Sequence, residues 1–100
     1  MNIEIAPKST EIRANWYDAR LYCFALNIDG KTGWRLPNKE ELDEIYQSEN
    51  DFEIGWGWDW YWSSSETSVN GAWSQNFLYG NRFSYSKNDF IYVRAVRDLL

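Results

Sequence analysis

Four indoles fall at every second position in Gly55-Trp56-Gly57-Trp58-Asp59-Trp60-Tyr61-Trp62. In an extended chain such residues project to one side about 6 to 7 Å apart. Rigid rings in such an array suit stacking on a sugar or filling the centre of a protein interface. Trp56, Trp58, Asp59 and Trp60 fall outside the motifs described below, and two readings stay open for their rings: contact with a ligand, or a local mini-core. A second group surrounds Gly80, where Tyr79, Asn81 and Arg82 offer a phenol, an amide and a guanidinium at a turn, unless the turn is simply solvated. A third is acidic. Glu40, Asp43, Glu44, Glu49, Asp51 and Glu53 lie in a stretch from Glu40 to Glu53 that holds seven carboxylates and no basic residue. Such a run is either a solvated face or a surface that competes for a basic site.

Other chemistry is poorly provided for. The chain has no histidine, which removes the commonest general base and the Ser-His and Cys-His nucleophile pairs. Cys23, the only cysteine, falls on the core face of a helix and reads as a small buried hydrophobe. Two carboxylates can make a glycosidase, but fifteen acidic residues without distinguishing context single out no pair. Asn50, Asp51, Glu53 and Asp59 could offer oxygens to calcium, yet the Glu-Pro-Asn and Trp-Asn-Asp triplets of calcium-dependent lectins are missing. Phosphate loops, zinc spacings and dinucleotide fingerprints are missing as well. No enzyme activity, cofactor or metal is expected.

A net charge of -5 and a pI near 4.6 argue against direct contact with nucleic acid, which needs clustered Lys and Arg. No apolar run approaches the roughly 18 residues of a membrane span, and the first residues do not read as a signal peptide. A lone cysteine fits a reducing compartment. The expected location is therefore cytoplasmic, in a host cell if the chain is phage-encoded, or on a particle assembled inside a cell.

The elements that must position these residues fit one domain over residues 1–100. Asn15 caps a helix whose Trp16, Ala19, Cys23 and Leu26 line one face, and Asp29-Gly30 ends it. Gly33-Trp34-Arg35-Leu36-Pro37 is a short extended stretch. Asn38 opens a second helix with Glu41 in the capping-box position, an apolar stripe of Leu42, Ile45 and Tyr46, and Glu40, Asp43 and Glu44 toward solvent. A long loop from Glu49 leads to a strand at Tyr61–Ser64. Strands Ala72–Tyr79 and Arg82–Ser86 are joined by the two-residue turn Gly80-Asn81, a register that sets Leu78 opposite Phe83, Asn76 opposite Tyr85, Phe77 opposite Ser84 and Tyr79 opposite Arg82. Phe90–Val96, apolar on both faces, reads as a covered central strand. One of Arg35, Arg94 and Arg97 is expected to bond a carboxylate such as Glu41, or loop carbonyls, because a guanidinium among apolar residues must be paired.

The ordered series Trp16-x-x-Ala19, Cys23-x-x-Leu26, Gly33-Trp34-Arg35-Leu36-Pro37-x-x-x-Glu41-Leu42, Tyr61-Trp62-Ser63-Ser64-Ser65, Trp73, Phe77 and Val93-Arg94-Ala95-Val96-Arg97 resembles the domain family named after the C-terminal domain of the Legionella collagen-like adhesin. The resemblance runs from about residue 15 to 97. It implies an α+β, C-type-lectin-like fold with two helices packed on a small, mainly antiparallel sheet, used for adhesion and ligand binding. By the same resemblance Trp16, Trp34, Trp62 and Trp73 belong to the core. Members often carry a cysteine where this chain has Ala95, so the resemblance implies no bridge from Cys23. The family's usual N-terminal extension and export signal are also missing, which favours an intracellular or bacteriophage-encoded relative.

These readings lead to a non-catalytic binding module that engages a protein through the aromatic loop and the hairpin. A carbohydrate is the alternative ligand. Two other roles compete: a phage-type inhibitor whose acidic surface occupies a host nucleic-acid-binding enzyme, and a virion or fibre component that forms a homo-oligomer.

Overall fold

Asparagine side chains start both helices. The computed structural model describes residues 2–48 and 60–99, so Glu49, Asp51, Glu53, Trp56, Trp58 and Asp59 lie outside the described residues. Helix α1 spans Trp16–Ala25, and Asn15 Oδ1 accepts the Asp18 amide at 2.9 Å. Helix α2 spans Lys39–Gln47. There Asn38 accepts the Glu41 amide at 2.8 Å while the Glu41 carboxylate accepts the Asn38 amide at 2.9 Å, the reciprocal box read from the sequence. Caps of this kind contribute about 1 kcal/mol each.

The strands are β1 (Ile3–Ile5), β2 (Ile12–Ala14), β3 (Trp34–Arg35), β4 (Trp60–Glu66), β5 (Gly71–Asn76), β6 (Arg82–Ser86), β7 (Ile91–Val93) and β8 (Val96–Asp98), with a 3-10 turn at Lys8–Thr10. They form two sheets, one ordered β1-β8-β3 and one ordered β2-β7-β4-β5-β6. Every pairing is antiparallel except β4 with β7. The fold class is α+β.

Helix α1 buries Trp16, Ala19 and Cys23 against Trp34, Leu36, Trp62 and Val93. Helix α2 buries Leu42 and Ile45 against Tyr61, Phe77 and Val96. Three motif tryptophans are fully packed and each also spends its one polar group on the backbone. Trp16 Nε1 donates to Ser63 O at 2.9 Å, Trp34 Nε1 to Lys31 O at 3.0 Å and Trp62 Nε1 to Ala14 O at 2.9 Å. A buried indole needs such an acceptor, so these rings also fix how α1, β2 and β4 approach one another. Trp73 departs from the expected core position. It is half-buried, with the Lys39 ammonium 5.6 Å from its ring centre.

The serine run explains why Gly-Trp-Arg-Leu-Pro and Tyr-Trp-Ser-Ser-Ser travel together. Ser64 N donates to Pro37 O at 2.8 Å and Lys39 N donates to Ser65 Oγ at 3.0 Å. The bulged end of β4 thus takes up a free amide in the first turn of α2.

Two further expectations are corrected, and two strands are added. The expected central strand is two short strands in different sheets, because the chain changes sheet at Arg94-Ala95. The Ala6 amide donates to Ala95 O at 2.9 Å, and the buried Arg94 donates to Ala6 O at 2.8 Å and to Glu11 at 3.3 Å. Phe90 falls outside β7 and is exposed. The hairpin register also moves by four residues, with Phe83 opposite Ser74 instead of Leu78, Tyr85 opposite Ala72, Ser84 opposite Trp73 and Arg82 opposite Gln75. Phe77 causes this by turning inward to pack on Tyr61 and Tyr46, at ring-centre distances of 5.2 and 5.7 Å, which ends β5 early. An even shift leaves the face of every side chain unchanged. Finally, β1 and β2 received no strand assignment from the sequence. They pair with β8 and β7 respectively, and runs of three residues are too short to display a period.

Candidate functional site

The connection between β5 and β6 holds the Tyr79 ring in solvent and turns Phe77 into the core. The Asn76 side-chain oxygen accepts the amides of Leu78 and Tyr79 at 2.8 and 3.0 Å, a local turn that leaves both side chains pointing away from the sheet. The Gly80 amide donates to Asn76 O at 2.7 Å and the Asn76 amide to Asn81 O at 2.9 Å. Gly80 has φ of 81°, and a Cβ there would overlap the Tyr46 ring. Only glycine meets both demands. The tip is therefore pinned to α2, and Tyr79 stands 77% exposed on it, with Leu78 and Asn81 beside it.

The base of the hairpin is fastened to the same helix. Gln75 Nε2 donates to Asp43 at 3.0 Å and to Gly80 O at 3.0 Å, and Arg82 pairs with Asp43 at 3.5 Å. Beside it, Phe83 is 54% exposed and packs edge-on with Tyr85, at 5.0 Å between ring centres. Trp60 joins both, at 6.2 Å from Phe83 and 5.4 Å from Tyr85. Trp60 is half-buried: part of its ring packs on the α1 core and part faces this group. The packing fits the mini-core reading for this ring, and its accessible part leaves room for contact with a ligand.

The structure brings Trp60, Tyr79, Asn81 and Arg82 to one hairpin and its neighbouring strand. The sequence reading did not include Leu78 and Phe83. Alternation in Arg82–Ser86, with Phe83 and Tyr85 on one face, was the available signal. Of the acidic group, Glu40 and Glu44 are exposed on α2. Asp43, expected toward solvent, is instead half-buried and bound by Gln75 and Arg82. Glu41 is held by Arg35, whose two terminal nitrogens reach its two oxygens at 2.7 and 2.8 Å. That hydrogen-bonded pair pulls the Glu41 carboxyl below its ordinary range, helped by the Asn38 amide. Arg35 also reaches Asp98 at 2.8 Å, which lowers the Asp98 carboxyl in turn.

Cys23 is buried and its thiol is pushed up to about 12 by desolvation. Burial thus favours the thiol over the thiolate at neutral pH.

A second surface was not anticipated. The outward side of α1 carries Tyr17, Arg20, Leu21 and Phe24, and with Trp34, Leu36 and Ser64 they line an open cleft of about 590 Å³. Leu21 is 67% and Phe24 83% exposed. The signal was a second apolar series at i, i+4 and i+7 beside the core series, which makes α1 apolar on two sides.

An α+β fold with, among the described residues, two sheets, two capped helices and exposed aromatic surface is the class these observations define. The chain belongs to the Lcl C-terminal domain family, whose model matches residues 4–97. The match takes in β2 and all but the first residue of β1, which the resemblance read from the sequence left out. No curated protein matches the chain.

Proposed function

We propose that the chain is a non-catalytic binding module that engages a protein through Trp60, Leu78, Tyr79, Asn81, Arg82 and Phe83. The observation that carries this reading is the pinned tip: Tyr79 is held in solvent by Asn76 and Gly80, neither of which contributes to the core. Rings fixed before binding lose little entropy on contact, and Tyr, Trp and Arg dominate interface energetics. Membership of the Lcl C-terminal domain family is compatible with a binding domain and supports reading the fold as C-type-lectin-like. The lack of histidine and the protonated, buried Cys23 favour binding over catalysis. A protein is preferred to a carbohydrate because aliphatic Leu78 stands next to Tyr79 at the tip and the Arg82–Asp43 pair lies on the α2 side of the same hairpin, a mixture suited to an interface centre ringed by polar groups. The acidic-inhibitor reading is weakened by the pairing of Glu41 and Asp43 with arginines.

The test is affinity capture from lysate beside a glycan array, each run with the wild type and with a Tyr79→Ala, Phe83→Ala variant. A protein retained by wild type and lost by the variant at least tenfold, equivalent to about 1.4 kcal/mol, supports the reading. Equal capture by both, or a glycan as the only ligand, refutes it. Capture that vanishes on adding salt yet ignores the double substitution points to the acidic face.

A further inference from the structure

The outer face of α1 answers to a ligand of different chemistry from the hairpin. Tyr17, Leu21 and Phe24 recur at the spacing that forms a ridge along a helix, and the open cleft beside them is floored by Trp34 and Leu36 of the β3 segment. Its charge runs against that of the chain. The net charge is -5, and most basic side chains reach a carboxylate; Arg13, Arg20 and Lys39 reach none among the described residues. Arg13 donates to Phe90 O and Lys39 lies over Trp73. Arg20, in the cleft wall, lies with its guanidinium 4.8 Å from the Trp16 ring centre, an arrangement that leaves its hydrogen-bond donors without a carboxylate among the described residues. Arg35, the other cation of the cleft, is already held by Glu41 and Asp98.

From this charge complementarity we infer that the cleft docks an amphipathic helical segment of a partner protein, its apolar stripe laid along Tyr17, Leu21 and Phe24 and a flanking carboxylate set on Arg20. A ridge of side chains along one helix seats in the groove between the ridges of a second helix, and a guanidinium stacked on a ring is preorganised for a carboxylate. The inference does not depend on the hairpin face, which shares none of these residues.

The probe is a pair of synthetic amphipathic helical peptides with the same leucine stripe, flanked by glutamates in one and by lysines in the other. Each is titrated into the isotope-labelled full chain by NMR. The chain's overall negative charge favours the lysine peptide everywhere else, so a preference for the glutamate peptide reports the local site. The expected result is that only the glutamate peptide shifts the amides of Tyr17–Phe24. Arg20→Gln should weaken it by roughly fivefold, the scale of one exposed ion pair, and Phe24→Ser by more than about tenfold. Phe24 is exposed, so its variant keeps the fold, and matching thermal midpoints verify this. The proposal is overturned if both peptides bind alike, if the shifts fall on Asn76–Tyr85 instead, or if Phe24→Ser leaves binding unchanged. Shifts of the α1 amides with protein concentration alone assign the cleft to a second copy and overturn it too.

Discussion

The hairpin tip and the outer face of α1 both hold aromatic rings in water, by different means. At the tip, Asn76, Gly80, Gln75 and Asp43 fix the backbone, so the exposed rings inherit their positions from hydrogen bonds and from one close contact with Tyr46. On α1, Tyr17, Leu21 and Phe24 are placed only by the helix, whose register is set by the burial of Trp16, Ala19 and Cys23 on the opposite side. Ring exposure alone does not distinguish a rigid surface from one that adapts; the network behind the rings does. Perturbing the support should therefore damage the tip and spare α1, while trimming the rings should spare the stability of both.

The largest effect is expected from Gly80→Ala. A side chain at φ of 81° that also meets Tyr46 combines backbone strain with overpacking, together about 3 kcal/mol. Urea denaturation should report this as a lower midpoint at unchanged slope. An unchanged midpoint would mean that the tip is not pinned to α2.

Arg35→Met should cost about 2 kcal/mol near neutral pH, an intermediate value for a partly buried, two-pronged pair. The Glu41 carboxyl is held below the ordinary glutamate value of 4.5 chiefly by its hydrogen bonds to Arg35. A carboxylate lowered on folding stabilises the fold above its unfolded pKa, and that contribution fades as pH falls through the folded value. The gap between wild type and Arg35→Met should therefore be full above about pH 5 and shrink below pH 4.5. A gap that widens on acidification would contradict the pairing.

The smallest effects belong to the rings. Tyr79→Ala and Phe24→Ser should each change stability by no more than about 0.5 kcal/mol, measured by thermal melting. A larger loss in either variant would mean that its ring belongs to the core and not to a display surface.

Much of the interior was legible in the sequence because its signals are local. Asn15 and Asn38 each declare a helix start three residues ahead of the amide they accept, and the Arg35–Glu41 pair lies within a single motif. The hairpin register was misread because Phe77 answers to Tyr46 and Tyr61, a tertiary demand that outweighs the turn chemistry of Gly80-Asn81. The sheet change at Arg94-Ala95 escaped notice for a related reason. It depends on Ala6 and Glu11, more than eighty residues away in the chain. At the candidate site, Tyr79, Asn81 and Arg82 were found from turn residues, whereas the α1 face was hidden by the stronger core series on the same helix.

Hydrogen exchange of the chain bound to the protein it retains from lysate tests the central claim most directly. The account predicts new protection across Asn76–Tyr85 and at Trp60, with little change along the exposed side of α2. Protection confined to the amides around Glu40 and Glu44, with the hairpin exchanging as in the free chain, would contradict it.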